Sequence, residues 1–154
     1  MISYRIGNLV QADEGIILHG CNAQGKMGSG VAKAIRARFP LAYKEYHQGF
    51  KDGWLDLGTV FWVTDDDRLI GNCITQKFYG YDGKKYVSYD AIHECMVEVK
   101  VMIDHKLKFN LPYNGVAMPR MGSTLGGGNW KVIEAIINDV LRDQDVTVYD
   151  LESQ

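Results

Sequence analysis

Apolar positions along this 154-residue chain switch repeatedly between two periods. Short runs rich in β-branched and aromatic residues predict six strands: "ISYRI" (2–6), "GIILH" (15–19), "TVFWVT" (59–64), "LIGNCIT" (69–75), "GVAMP" (115–119) and "VTVYDL" (146–151). Between them the apolar residues recur every three or four positions. The longest such stretch, 88–107, places Tyr89, Ile92, Met96, Val99, Ile103 and Leu107 on one stripe, with Ser88 as the N-cap. A second helix follows Asn129 and carries Trp130, Ile133, Ile137, Val140 and Leu141 on one side. A third runs from about Gly28 to Arg38 and must end before Pro40, because the proline ring disfavours helix in the residue ahead of it. A fourth starts at Pro40 and presents Tyr43, Tyr46 and Phe50.

Strands alternating with helices predict an α/β fold, a mostly parallel sheet with helices on both faces. In such sheets ligands gather beyond the carboxyl ends of the strands, where strand-to-helix loops meet. Two loops of that kind are glycine-rich. "HGCNAQGKMGSGVAKAI" leaves a strand and enters the third helix, and "MPRMGSTLGGGNW" leaves a strand and enters the second. Glycines let a ligand approach the backbone closely, and free amides at a helix start bind anions without a cluster of cations. Neither loop is a GxxxxGK[ST] phosphate loop or a GxGxxG dinucleotide fingerprint, which argues against nucleotide hydrolysis and hydride transfer.

Composition narrows the field. With 46% apolar and 23% charged residues, the chain suits one domain over residues 1–154 with a real core. A net charge of −2 offers no basic stripe for bulk nucleic-acid binding. No apolar run reaches the ~18 residues of a membrane helix, and "MISYRIGNLV" lacks the features of a signal peptide. Cys21, Cys73 and Cys95 match neither a zinc site nor a disulfide framework, and read as packed, reduced thiols of a cytoplasmic protein. No carboxylate–histidine cluster suggests a metal, and no cofactor is expected. His47, His93 and His105 read as solvated helix faces.

From "YRIGNL" through the first loop and "ITQKFYG" to the second loop and "VTVYDL", the chain resembles the macrodomains. It is most similar to the branch containing yeast-type ADP-ribose-1″-phosphate phosphatases and terminal ADP-ribose glycohydrolases. The resemblance implies a three-layer α/β/α macrodomain with a mixed, mostly parallel central sheet. It also implies binding of a small-molecule ADP-ribose derivative or of an ADP-ribosylated macromolecule, and removal of phosphate from ADP-ribose-1″-phosphate. The alternatives are a hydrolase that frees ADP-ribose from protein or nucleic acid, and a non-catalytic reader.

By position, the resemblance puts Gly7, Asn8 and Leu9 at the adenine, with Asn8 at its amine. Asn22 falls at the distal ribose, beside Ala23, Gln24, Gly25 and Met27. Gly28, Ser29, Gly30 and Val31 form a first diphosphate wall. Gly122, Ser123, Thr124, Leu125, Gly126 and Gly127 form a second, with Pro119 and Met121 ahead of it as further substrate-binding residues. His19 matches a histidine of the phosphatases, which makes it a general base, with Asn22 as its catalytic companion; read from the residues alone, His19 is equally a buried brace and Asn22 a turn-capping amide. Gln76 and Gly126 stand where the terminal glycohydrolases hold a lysine and an aspartate. Arg120 is either a surface charge or a phosphate partner, and Tyr79 and Tyr81 are either a lid or edge packing.

Overall fold

The computed structural model describes residues 2–80, 82, 84–123 and 126–151. Among these, six strands form one sheet: β1 (Ile2–Ile6), β2 (Ile16–Asn22), β3 (Val60–Asp65), β4 (Arg68–Gln76), β5 (Val116–Met118) and β6 (Val146–Asp150). Their order is β1-β6-β5-β2-β4-β3. Every neighbouring pair is parallel except β3 with β4. That exception follows from a two-residue connection. Asp66 and Asp67 take φ of 49° and 59°, the left-handed region that lets so short a turn match the strand twist.

Four helices cover the sheet: α1 (Gly30–Arg38), α2 (Pro40–Lys51), α3 (Tyr89–Lys108) and α4 (Trp130–Val140). Alternation along β2 sorts its side chains between two cores. Ile16 and Leu18 join Ile92, Met96, Val99 and Ile103 of α3 and Ile133 and Ile137 of α4. Ile17 packs instead with Ile35 and Phe39 on the α1 side, and Cys21 with Met27 and Tyr46 near α2. Each fully buried aliphatic side chain contributes about 1.5–3 kcal/mol of transfer free energy, which holds both helical layers to the sheet. The result is the three-layer α/β/α arrangement.

The predicted caps are in place. Ser88 Oγ accepts from the Ala91 amide at 3.1 Å, and Asn129 Oδ1 accepts from the Lys131 amide at 2.9 Å. Pro40 sits in the first turn of α2, where its missing N–H costs nothing. Leu107 departs from the expected stripe and is exposed, the last buried residue of the stripe being Ile103. The sequence also hid a short 3₁₀ turn (Leu9–Gln11), which Asn8 caps by accepting from the Val10 amide at 3.2 Å. One irregularity marks the end of the central strands. Cys21 pairs with Ile74 and Asn22 with Gln76, so Thr75 bulges out of the ladder between them.

Candidate functional site

The carboxyl ends of β2, β4, β5 and β6 lie along one sheet edge, and a cleft of about 540 Å³ opens there. The first loop forms one wall through Met27, Gly28, Ser29, Gly30 and Val31. Pro119, Met121, Gly122 and Gly126 form the other. Asn22 lies on the floor between them. These ten expected residues are therefore brought together. Gly30 has φ of 60°, a conformation that a side-chain-bearing residue rarely adopts, and it opens α1, whose first residues line the cleft.

Asn22 is held rigidly. Its Oδ1 accepts from the Gln24 and Lys26 amides at 3.0 and 3.3 Å and from the Tyr46 hydroxyl at 3.0 Å. Its Nδ2 donates to the Lys26 carbonyl at 3.0 Å. Burial pushes the Tyr46 phenol up, so it stays a donor at any ordinary pH. Asn22 thus shapes the turn and borders the cleft at once; the two readings of this residue are compatible. Gln24 faces away from the cleft lining and accepts from the Tyr79 amide at 3.1 Å, which ties residues 77–80 to the first loop. Ala23 and Gly25 also stay outside the lining. Gly25 offers its carbonyl to His47 Nδ1 at 3.1 Å, and His47 stacks on Tyr43 with centroids 5.3 Å apart. His47 is therefore half-buried under the first loop, not the solvated residue that its polar neighbours suggested.

His19 requires the largest correction. It shares the α1/α2 face of β2 with Ile17 and Cys21, is 1% exposed and does not border the cleft. Its Nε2 lies 2.6 Å from Asn72 Oδ1, and Asn72 Nδ2 donates to the Phe61 carbonyl at 3.1 Å. Asn72 can only accept through that oxygen, so Nε2 carries the proton, and the Cys21 sulfur lies against the ring, 3.5 Å from Nε2 and 3.7 Å from Nδ1. Burial lowers the His19 pKa to about 4, and the imidazole is neutral at pH 7. This chain of hydrogen bonds between β2, β4 and β3 fits a brace, and only Cys21 stands between the ring and the cleft.

The remaining expectations divide. Gly7 donates to the Asp150 carbonyl at 2.8 Å, Asn8 spends its carbonyl on the 3₁₀ turn, and Leu9 packs in the core beside Tyr149, so all three flank the cleft without lining it. Ser123 turns its hydroxyl back to the Arg120 carbonyl at 2.8 Å, and Gly127 passes against the Lys84 backbone, which explains its absence from the lining. Thr124, Leu125 and Tyr81 lie outside the described residues. Arg120 is in the lining, but its guanidinium grips Asp150 at 2.8 and 2.9 Å and lies 5.0 Å from the Tyr4 ring centroid. That contact holds the Asp150 carboxyl below the usual carboxylate range.

Several lining residues carried no sequence signal. Gly20, Cys21 and Thr75 come from strand ends, Arg36 and Tyr43 from the α1–α2 crossing, and Tyr149 and Leu151 from the end of β6. Only the strand order brings them together. Gln76 also lines the cleft, and its Nε2 donates to the Phe78 carbonyl at 2.7 Å. Among the described residues no group of three His, Cys, Asp or Glu side chains is placed to hold a metal ion, and no helix is long and apolar enough to cross a membrane.

The sequence profile of the Macro domain family matches residues 18–137, a span containing both glycine-rich loops. The chain belongs to the Macro domain family. A DNA ADP-ribosyl glycohydrolase of Mycobacterium tuberculosis is 28% identical over 158 residues, covering 97% of this chain but 42% of the relative's length. An ADP-ribose 1″-phosphate phosphatase of Saccharomyces cerevisiae is 25% identical over 174 residues, 97% of this chain and 98% of the yeast protein. Among solved structures, the macrodomain of M. tuberculosis DarG superposes with a TM-score of 0.81 at 25% identity, over 97% of each chain. This macrodomain therefore has the architecture expected from its sequence, and relatives with two different hydrolytic activities.

Proposed function

We propose that the cleft binds ADP-ribose and that this macrodomain hydrolyses the group attached at its distal ribose, with ADP-ribose-1″-phosphate as the substrate. One observation carries the binding half. Asn22, the amide-bearing first turn of α1 and the wall of Met121, Gly122 and Gly126 converge on one cleft of about 540 Å³, a size suited to an ordinary small ligand. The helix start supplies donors and a positive dipole end for a diphosphate, and the opposite glycine wall approaches it from the other side. The phosphatase half draws support from the yeast relative, which matches across nearly its whole length.

In this reading water attacks phosphorus, the bond from phosphorus to the 1″ oxygen breaks, and ADP-ribose and inorganic phosphate leave. Backbone amides stabilise the developing charge and Asn22 fixes the sugar. His19 contributes at a distance, by bracing the strand that ends in Asn22; it is a positioning residue and not the base.

A second reading is removal of ADP-ribose from a nucleic acid, favoured by the similarity to the mycobacterial enzyme. Gln76 weighs against a lysine-dependent version of that chemistry, since its amide cannot act as an ammonium. One panel separates the readings: ADP-ribose-1″-phosphate and aspartate-, glutamate- and nucleobase-linked ADP-ribose, each assayed for product. Phosphate release from the first is expected. Release of ADP-ribose from a nucleobase with no phosphatase activity would replace the first reading by the second, and tight binding without turnover of any substrate would leave a reader.

A further inference from the structure

Thr75 is fully buried, and its Oγ1 has no hydrogen-bond partner among the described residues. A buried, unpartnered hydroxyl is costly, and valine would fill the same volume without that cost. The residue is also not in an ordinary strand position. It is the one that bulges from β4 where Cys21–Ile74 pairing gives way to Asn22–Gln76, and bulges re-aim side chains. Its carbonyl accepts from the Ser88 amide at 2.8 Å, which fixes it against the head of α3.

Thr75 is among the residues that line the cleft, with its hydroxyl just beneath the surface. A Cβ built on Gly20 would stand 3.0 Å from Thr75 Oγ1, 3.1 Å from Met121 Cγ and 3.9 Å from the Gly122 amide nitrogen. Any side chain at position 20 would crowd this oxygen, so the bare Cα of Gly20 keeps it from being covered by the neighbouring strand. Thr75 precedes Gln76, the strand partner of Asn22.

We propose that Thr75 is a ligand-contacting residue, its unpartnered hydroxyl kept for an oxygen of the sugar–phosphate part of the ligand, which reaches it when the ligand settles on the cleft floor. The proposal rests on the reading of the cleft as an ADP-ribose site. A threonine hydroxyl both donates and accepts, so it serves either a phosphoryl oxygen or a ribose hydroxyl.

Thr75→Val and Thr75→Ser are to be compared with the parent by thermal melting without ligand and by calorimetry with ADP-ribose, ADP and AMP. Thr75→Val is expected to melt at the parent's temperature or above it, because it removes an unpartnered polar atom. It is expected to bind ADP-ribose about tenfold more weakly, the scale of one lost hydrogen bond, while Thr75→Ser keeps the affinity. A loss shared by ADP would identify a phosphoryl oxygen as the partner; a loss confined to ADP-ribose would identify the distal ribose. A lower melting point for Thr75→Val would mean that the hydroxyl has a partner within the fold, and unchanged ADP-ribose affinity would mean that it meets no ligand; either overturns the proposal. A parent that binds none of the three nucleotides overturns the cleft reading and the proposal with it.

Discussion

Replacing His19 by glutamine tests the separation of brace from base. The parent imidazole titrates at about 4 in the fold and at about 6.5 in an unfolded chain. Between those values the unfolded state binds the extra proton, so stability falls as pH drops through this window and is fully retained above it. At 1.36 kcal/mol per pH unit, the gap amounts to about 3 kcal/mol once pH is below 4. Glutamine places an amide nitrogen near the position of Nε2, so it can still donate to Asn72 Oδ1 but cannot gain a proton. Urea unfolding of both proteins at pH 7.5, 6.5, 5.5 and 4.5 should therefore diverge. The parent is expected to lose about 1 kcal/mol more per pH unit than His19→Gln below pH 6.5. His47, His93 and His105 remain in both proteins and cancel from the comparison. Phosphate release at pH 7.5 should fall only modestly, far less than the roughly 10²–10⁴ that loss of a general base removes. Parallel stability profiles together with a collapse of turnover would refute the burial argument and return His19 to the reaction.

Gly28→Val should weaken ADP-ribose binding at least about tenfold with an unchanged melting point. A Cβ at Gly28 meets nothing within 4 Å and projects into open space on the wall of the cleft; calorimetry and thermal melting check the two halves. Gly30→Val is the less clean test, because φ of 60° adds backbone strain to any steric block. Asn22→Ala should lose binding and stability together. It strips the acceptor from the Gln24 and Lys26 amides, at about 1–3 kcal/mol, while the Tyr46 hydroxyl keeps the backbone carbonyl of residue 22; denaturant melts alongside calorimetry should show both losses.

The strands were legible because each is a short β-branched run, and the buried centres of β2 and β4 follow from layers on both faces. Helix α3 was legible from its stripe up to Ile103, beyond which periodicity no longer implies burial. The antiparallel β3–β4 pair was not singled out, since its turn places two aspartates in the left-handed region usually given to glycine or asparagine. Both cleft walls could be read from glycine spacing. What sequence position did not reveal is direction. His19 lies three residues from Asn22 but is buried against Asn72 and does not border the cleft, and Asn8 caps a turn too short to leave a periodic trace. Thr75 enters the site through a bulge, a one-residue slip that no local pattern announces.

The most direct test of the central claim is a calorimetric titration of this macrodomain with ADP-ribose and with AMP. Binding of ADP-ribose in the micromolar range, roughly −7 to −9 kcal/mol, is expected, with AMP at least about tenfold weaker because it leaves the Asn22 end of the cleft empty. Equal affinity for the two nucleotides, or no heat from ADP-ribose, would contradict the assignment of Asn22 and the paired glycine walls to this ligand.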